Sequence, residues 1–415
     1  MPGLVGLGWR SKMNREMRFG IFSMPEYRPE LNWNLAHHQM VELATRAEEL
    51  GFEEYWVGEH HTQGHESSPM PELQLAAMAE ATETIRLGTG TINLPYDCHD
   101  PFNVAERLAF LDQLADGRIN FGYGAGALPA DMEMFNAGED SKARMWEAID
   151  VIETYLEAEE PTSFDGEFYQ YDERAIQVPP YQGAERPTAL AGLSSLSSFT
   201  NAVEDGHRPL SISFAPLEAG NNPAVVGLKD IAAELDRTAE AVGRDPHAVR
   251  DEWTVVREVY VADSKEQAYR EIKAGAEEYY DYLFGLGDGG LISLVAHEPD
   301  WAWGEEVTLE WMIENLPFIM GSPRECVAQI KQLREEIGHF GTLVINHHDW
   351  GIPEYRWRQS YERFAEEVMP AFQEHKRPRE VYRKEVPGYE ERKPRASPDA
   401  FELEASAPTT PADDD

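Results

Sequence analysis

Glu59-His60-His61 is the string best suited to proton chemistry in this chain. An imidazole titrates near neutral pH, and a neighbouring carboxylate such as Glu59 can fix which ring nitrogen carries its proton. At the end of a β-strand adjacent side chains point to opposite sides, so one ring reaches a cleft while the other packs behind it. Taken alone, the string describes a structural histidine equally well. Thr89-Gly90-Thr91 and Gly122-Tyr123-Gly124-Ala125-Gly126 lack Cβ atoms where a flat ring or a phosphate can approach the backbone. Their spacing is not that of a dinucleotide fingerprint. Gly192-Leu193-Ser194-Ser195-Leu196-Ser197-Ser198 places hydroxyls ahead of a helix, where unpaired amides and the dipole favour phosphate. The same composition also suits an ordinary loop and cap. His60-His61 and His347-His348-Asp349 together hold the ligand types of a metal-dependent barrel hydrolase.

These residues need elements that bring them to one place. Eight β-like runs recur, each with a neighbouring helical pattern, as in a parallel sheet of βαβ units. They are 18–23, 54–58, 85–91, 118–123, 188–191, 210–214, 253–262 and 342–345. Met40, Leu43, Ala47 and Leu50 keep helical spacing after the first run, and Gly51 stops that helix. Ser322-Pro323 supplies an N-cap and a first-turn proline for the helix before the last run. Eight strand–helix units predict an α/β fold, a (β/α)₈ TIM barrel whose chemistry sits at the C-terminal strand ends. Two insertions, about 157–186 and 285–316, interrupt the rhythm, and either can serve as a lid. Residues 1–16 read as an extension, 17–374 as the barrel domain and 375–415 as a disordered tail rich in acid and proline.

Composition narrows the partners. The chain has 415 residues, 42% hydrophobic and 11% aromatic, enough for a large core. Its 76 Asp and Glu against 36 Lys and Arg give a formal charge of −40, which repels nucleic acid and anionic membranes. Only nine of the basic residues are lysine. A carboxylate-dense, lysine-poor surface suits molar salt, where screening relieves self-repulsion, so a halophilic cytoplasm is the expected setting. Cys98 and Cys326 are too few for a disulfide framework or a thiolate metal site, and no apolar run nears the roughly 18 residues of a membrane span.

Read in order from about Arg18 to Phe372, the segments resemble the bacterial luciferase-like monooxygenases. Met17-Arg-Phe-Gly-Ile-Phe resembles the opening strand, and Ala47-Glu-Glu-Leu-Gly-Phe-Glu-Glu-Tyr-Trp-Val-Gly-Glu-His-His the first helix and second strand. The most specific stretch runs from Ala81-Thr-Glu-Thr-Ile-Arg-Leu-Gly-Thr-Gly-Thr through His99-Asp-Pro-Phe to Leu111-Asp-Gln-Leu-Ala-Asp-Gly-Arg. Gly321-Ser-Pro-Arg-Glu-Cys is similar to the opening of the last barrel helix. The resemblance implies reduced FMN supplied by a separate flavin reductase, dioxygen, a flavin hydroperoxide, a small apolar substrate and a homodimer. His60 is then the working histidine with Glu59 beside it, and His61 supports them. Ser195 and Ser198 match hydroxyls that bind the flavin phosphate, with Ser194 where the family often has Glu. Gly90-Thr91 matches a non-proline cis peptide under the flavin ring.

Thr89, Tyr123, Gly124 and Gly126 join Gly90 and Thr91 as expected cofactor contacts, and Phe22, His61 and His347 as expected pocket residues. Gly124 stands where luciferase proper has a reactive cysteine and Ala125 where it has a basic residue. Light emission is therefore not expected, and the phosphate needs its cation from elsewhere. Two other readings remain open at this point: a deazaflavin-dependent hydride-transfer enzyme of the same clan, and a non-catalytic flavin-binding barrel. No metal is expected in either.

Overall fold

The computed structural model describes residues 16–23, 32–62, 64, 68–183, 186–192, 195–212, 215–221, 225–284 and 308–373. Ser194, most of the second insertion and the segment 375–415 lie outside the described residues. The strands are β1 (Arg18–Ser23), β2 (Glu54–Val57), β3 (Arg86–Thr89), β4 (Ile92–Asn93), β5 (Ile119–Gly124), β6 (Thr162–Asp165), β7 (Gln170–Arg174), β8 (Thr188–Gly192), β9 (Arg208–Ser211), β10 (Thr254–Val261), β11 (Ile319–Gly321) and β12 (Thr342–His347).

Eight of these close a parallel barrel: β1, β2, β3, β5, β8, β9 and β10 pair in turn, and β12 joins β10 back to β1. The fold is a (β/α)₈ TIM barrel, as the strand–helix rhythm predicts. Each expected run falls on one barrel strand, the first with the ends of β1 and the others with shifted ends. The third run stops at Thr89 because the chain turns there, and the short β4 then pairs with β5. The sixth starts early, at Arg208, a residue that an apolar pattern passes over. The first insertion carries the antiparallel hairpin of β6 and β7.

Side chains alternate between two cores. Phe22, Trp56, Ala189, Leu210, Val256 and Val344 form a compact cluster inside the barrel. Their neighbours Phe19, Ile21, Tyr55, Val57, Phe121, Tyr123, Leu343 and Ile345 face outward into the large core beneath the helices. The N-terminal end of the barrel is closed by Glu54, which pairs with Arg208 at 2.9 Å and accepts from Trp56 Nε1 at 3.1 Å. Burial raises the pKa of this carboxyl, but Arg208, Arg18 and Arg86 outweigh that and hold it below the usual range. Charge at this end serves stability, and the opposite end is left for chemistry. A third apolar group, containing Leu128, Tyr279, Tyr280, Leu283, Met312, Phe318 and Trp350, covers that opposite end. Among the described residues no helix is long and apolar enough to cross a membrane.

Candidate active site at the barrel mouth

β2 ends at Val57, and Glu59, His60 and His61 follow as its exit. Ser68 accepts from the His60 amide at 3.0 Å, which pins the exit as an isolated bridge. His60 is 7% exposed, and its Nδ1 lies 3.3 Å from Asp131 Oδ2. Asp131 sits in the short helix Pro129–Met134, just beyond β5. The same carboxylate accepts from the amides of His61 at 3.2 Å and Thr62 at 2.7 Å, and from the Thr62 hydroxyl at 2.5 Å. Burial raises the Asp131 pKa, yet the hydrogen bonds from His60 and Thr62 more than offset it and leave the carboxyl below its ordinary value. An ionised Asp131 accepts, so it favours a proton on the His60 Nδ1 that faces it.

Glu59 is therefore not the residue that orients His60, contrary to expectation. Its buried Oε1 lies 2.8 Å from His61 Nε2 and 2.7 Å from His99 Nε2, and its Oε2 accepts from the Asn93 amide at 2.7 Å. Burial raises its pKa, and the bonds from His61 and His99 bring it below the usual range. His61 supports this network with its ring against Phe135 at 4.4 Å, so it packs behind the mouth rather than lining a pocket. Glu59, Cys98 and His99 could in principle share a metal, since their ligand atoms lie within 4.8 Å of one another. Arg107 Nη2, however, stands 3.1 Å from His99 Nδ1. A guanidinium only donates, so the His99 proton sits on Nε2, pointed at Glu59. The Cys98 thiol is pushed up to about 11 by burial, which keeps it protonated. Glu59 and His99 form a hydrogen-bonded support for the strand exit.

The glycine runs do something other than expected. A Cβ on Gly122 would stand 1.9 Å from the Thr89 carbonyl oxygen, one on Gly124 2.1 Å from Thr91 Oγ1, and one on Gly126 2.5 Å from Tyr96 Oη. On the side a Cβ would take, these glycines admit neighbouring protein. The Thr89 hydroxyl is likewise occupied, accepting from the Gly122 amide at 2.8 Å and donating to its carbonyl at 2.9 Å. Tyr123 turns outward: its hydroxyl meets Glu153 at 3.2 Å, so the ring belongs to the helical layer and not to the mouth. The Gly90–Thr91 peptide is cis, as the resemblance implies. A Cβ on Gly90 would stand 2.6 Å from Phe22 Cε2, which puts the Phe22 ring against this peptide inside the barrel.

Beyond β8, Ser195 is the N-cap of the helix Leu196–Asp205, and Ser198 lies in its first turn. Lys142, on the helix Ser141–Glu157, donates to Ser195 Oγ at 3.0 Å and to Ser197 Oγ at 2.6 Å. An ammonium and two hydroxyls at the start of a helix form a donor set that fits a phosphate. Neither Lys142 nor Asp131 was legible beforehand, because each lies far along the chain from its partner.

Among the described residues, the two histidine pairs have different partners. His347, expected in the pocket, faces out of the barrel: its Nδ1 is 2.8 Å from Tyr361 Oη, its ring meets Trp357, and burial pushes its pKa down to about 4. His348 instead faces inward, 2.6 Å from Glu258.

The model of the luciferase-like monooxygenases matches residues 17–339. The chain is 32% identical to 4-hydroxyprotoasukamycin monooxygenase of Streptomyces nodosus subsp. asukaensis over 85% of this chain and 92% of that protein. It is equally 32% identical to limonene 1,2-monooxygenase of Rhodococcus erythropolis, over 85% of this chain and 86% of that one. Among solved structures it resembles the oxygenating constituent of 3,6-diketocamphane monooxygenase from Pseudomonas putida in complex with FMN. The TM-score is 0.71 and the identity 26%, covering 86% of this chain and 99% of that one. The family model spans seven of the eight barrel strands and the exit of β2, and the chain belongs to the luciferase-like monooxygenase family.

Proposed function

We propose that this protein is the oxygenase component of a two-component system. It takes reduced FMN from a separate reductase and uses dioxygen to oxygenate a small, largely apolar organic molecule in the cytoplasm. The observation that carries the reading is the His60–Asp131 pair at the exit of β2, a buried imidazole whose Nδ1 faces a carboxylate at the end of the barrel where such folds react. FMN, when bound, supplies the chemistry with oxygen. The chain's own residues bind, orient and exclude water. Lys142, Ser195 and Ser197 hold the phosphate together with the amides at the start of Leu196–Asp205, with Ser194 and Ser198 close by in sequence. Gly90, Thr91 and Phe22, packed together inside the barrel, would contact the ring system. His60 Nε2 accepts or returns a proton, and the apolar roof around Leu128, Tyr280 and Trp350 keeps water out.

The test separates binding from chemistry. In His60→Ala, reduced FMN should bind as in the parent while product formation drops about 10²- to 10⁴-fold. Unchanged turnover would remove His60 from the reaction.

A further inference from the structure

The string His99-Asp100-Pro101-Phe102 plays no part in the proposed function, yet several elements converge to place it. Asp100 is the N-cap of the helix Pro101–Leu114, and its carboxylate accepts from the Asn103 amide at 2.9 Å and from Tyr171 Oη at 2.9 Å. Phe102 packs edge-on against Tyr155, with ring centroids 4.8 Å apart. The hairpin of β6 and β7, which carries Tyr171, thus braces the start of this helix. His99 is held one residue ahead of the cap, with its ring buried. Arg107, further along the same helix, reaches back to His99 Nδ1 at 3.1 Å, and its Nε lies 3.1 Å from Glu72 of the helix Pro71–Ala81.

From His99 the contacts run inward. Its Nε2 lies 2.7 Å from Glu59 Oε1. Glu59 Oε2 accepts from the Asn93 amide at 2.7 Å, and the Glu59 carbonyl accepts from Asn93 Nδ2 at 3.2 Å. With Nδ2 so engaged, Asn93 presents Oδ1 to Thr91, whose hydroxyl donates to it at 3.3 Å. Gly124 closes on this pair from β5: a Cβ there would stand 2.1 Å from Thr91 Oγ1 and 3.4 Å from Asn93 Oδ1. Thr91, Asn93, Glu59 and His99 are all buried. The direction of each link is set, because the Arg107 guanidinium only donates and an ionised Glu59 only accepts. We propose that His99 is a positioning residue for the flavin: by donating to Glu59 it keeps Asn93 in place, and through Asn93 the Thr91 side chain that meets the ring. Removing the His99 donor leaves a buried carboxylate one contact short, and the movement that relieves it passes to Asn93 and Thr91.

The inference rests on the proposed contact between Thr91 and the flavin ring. It is tested by anaerobic titration of the full chain, well below its unfolding midpoint, with reduced FMN and reduced riboflavin, which share the ring but not the phosphate. His99→Leu should weaken both flavins by the same factor, about tenfold, as for one lost hydrogen bond. A role confined to stability would lower the unfolding midpoint and leave both affinities where they were. His99→Gln should restore them close to the parent's, because its amide nitrogen donates to Glu59 as the imidazole does. If His99→Leu does not fold, Glu59→Gln takes its place: it keeps the size of the side chain but turns a donor towards Asn93 or His99, and should show the same equal loss. Unchanged affinities, a loss for FMN alone, a His99→Gln variant as weak as His99→Leu, or a parent chain that binds FMN but not riboflavin would each overturn this proposal and leave the flavin reading standing. A parent that binds neither flavin overturns both.

Discussion

At the scale of residues, His60 and Asp131 are the pair to which the proposed function assigns proton transfer. Asp131→Asn keeps the size of the side chain but no longer demands a proton on Nδ1, so the His60 ring can rotate or switch tautomers. The expected outcome is a fall in turnover approaching that of His60→Ala with FMN binding retained; turnover equal to the parent's would show that Asp131 only ties the loop. The buried histidines also set a pH dependence. His347 and His207 are both pushed down to about 4 by burial, whereas an unfolded chain protonates them near 6.5. Below about 6.5 the unfolded state binds more protons, so stability is lost as the pH falls from there towards 4. The urea midpoint at pH 5 should lie below that at pH 7, and His347→Asn should narrow the difference. The string Glu59-His60-His61 was visible in the sequence, but its partners were not. Asp131 lies 71 residues beyond His60, His99 40 beyond Glu59, and Ser195 53 beyond Lys142. Only the closing of the barrel makes them neighbours.

Elements were more legible than their contacts. Apolar runs gave all eight barrel strands, because burial on both faces leaves a continuous pattern. Which face each side chain takes depends on register, and that is why Tyr123 and His347 turned out to point away from the mouth. The glycines were read as openings, although three of them are filled by Thr89, Thr91 and Tyr96. A methyl on Gly122 meets a strand carbonyl 1.9 Å away, which cannot rotate aside as a flexible side chain would. Gly122→Ala should therefore part β3 from β5 and lower stability by about 1–3 kcal/mol or more, measured by urea unfolding. A neutral effect would mean that the strands are free to shift.

For the whole molecule, charge and assembly are the quantities to test. With a formal charge of −40, unfolding should move to higher temperature as KCl rises from low to molar concentration, through screening of like charges. A flat response would remove the halophilic expectation. We read the exposed Leu73, Phe110 and Leu114, on the adjacent helices Pro71–Ala81 and Pro101–Leu114, as the face that a second copy covers. Phe110→Glu should then yield a monomer by sedimentation. A monomeric parent chain would show that the patch has another use.

The proposed function requires that the mouth hold reduced FMN with its phosphate on Lys142. Its most direct test is anaerobic titration of the protein, in high salt, with reduced FMN, reduced riboflavin and the reduced deazaflavin coenzyme. The account predicts that FMN binds most tightly and that Lys142→Met weakens FMN about tenfold, as expected for one lost charge-assisted contact, while leaving riboflavin unchanged. Tight binding of the deazaflavin with none of FMN would contradict it and make the barrel a hydride-transfer enzyme.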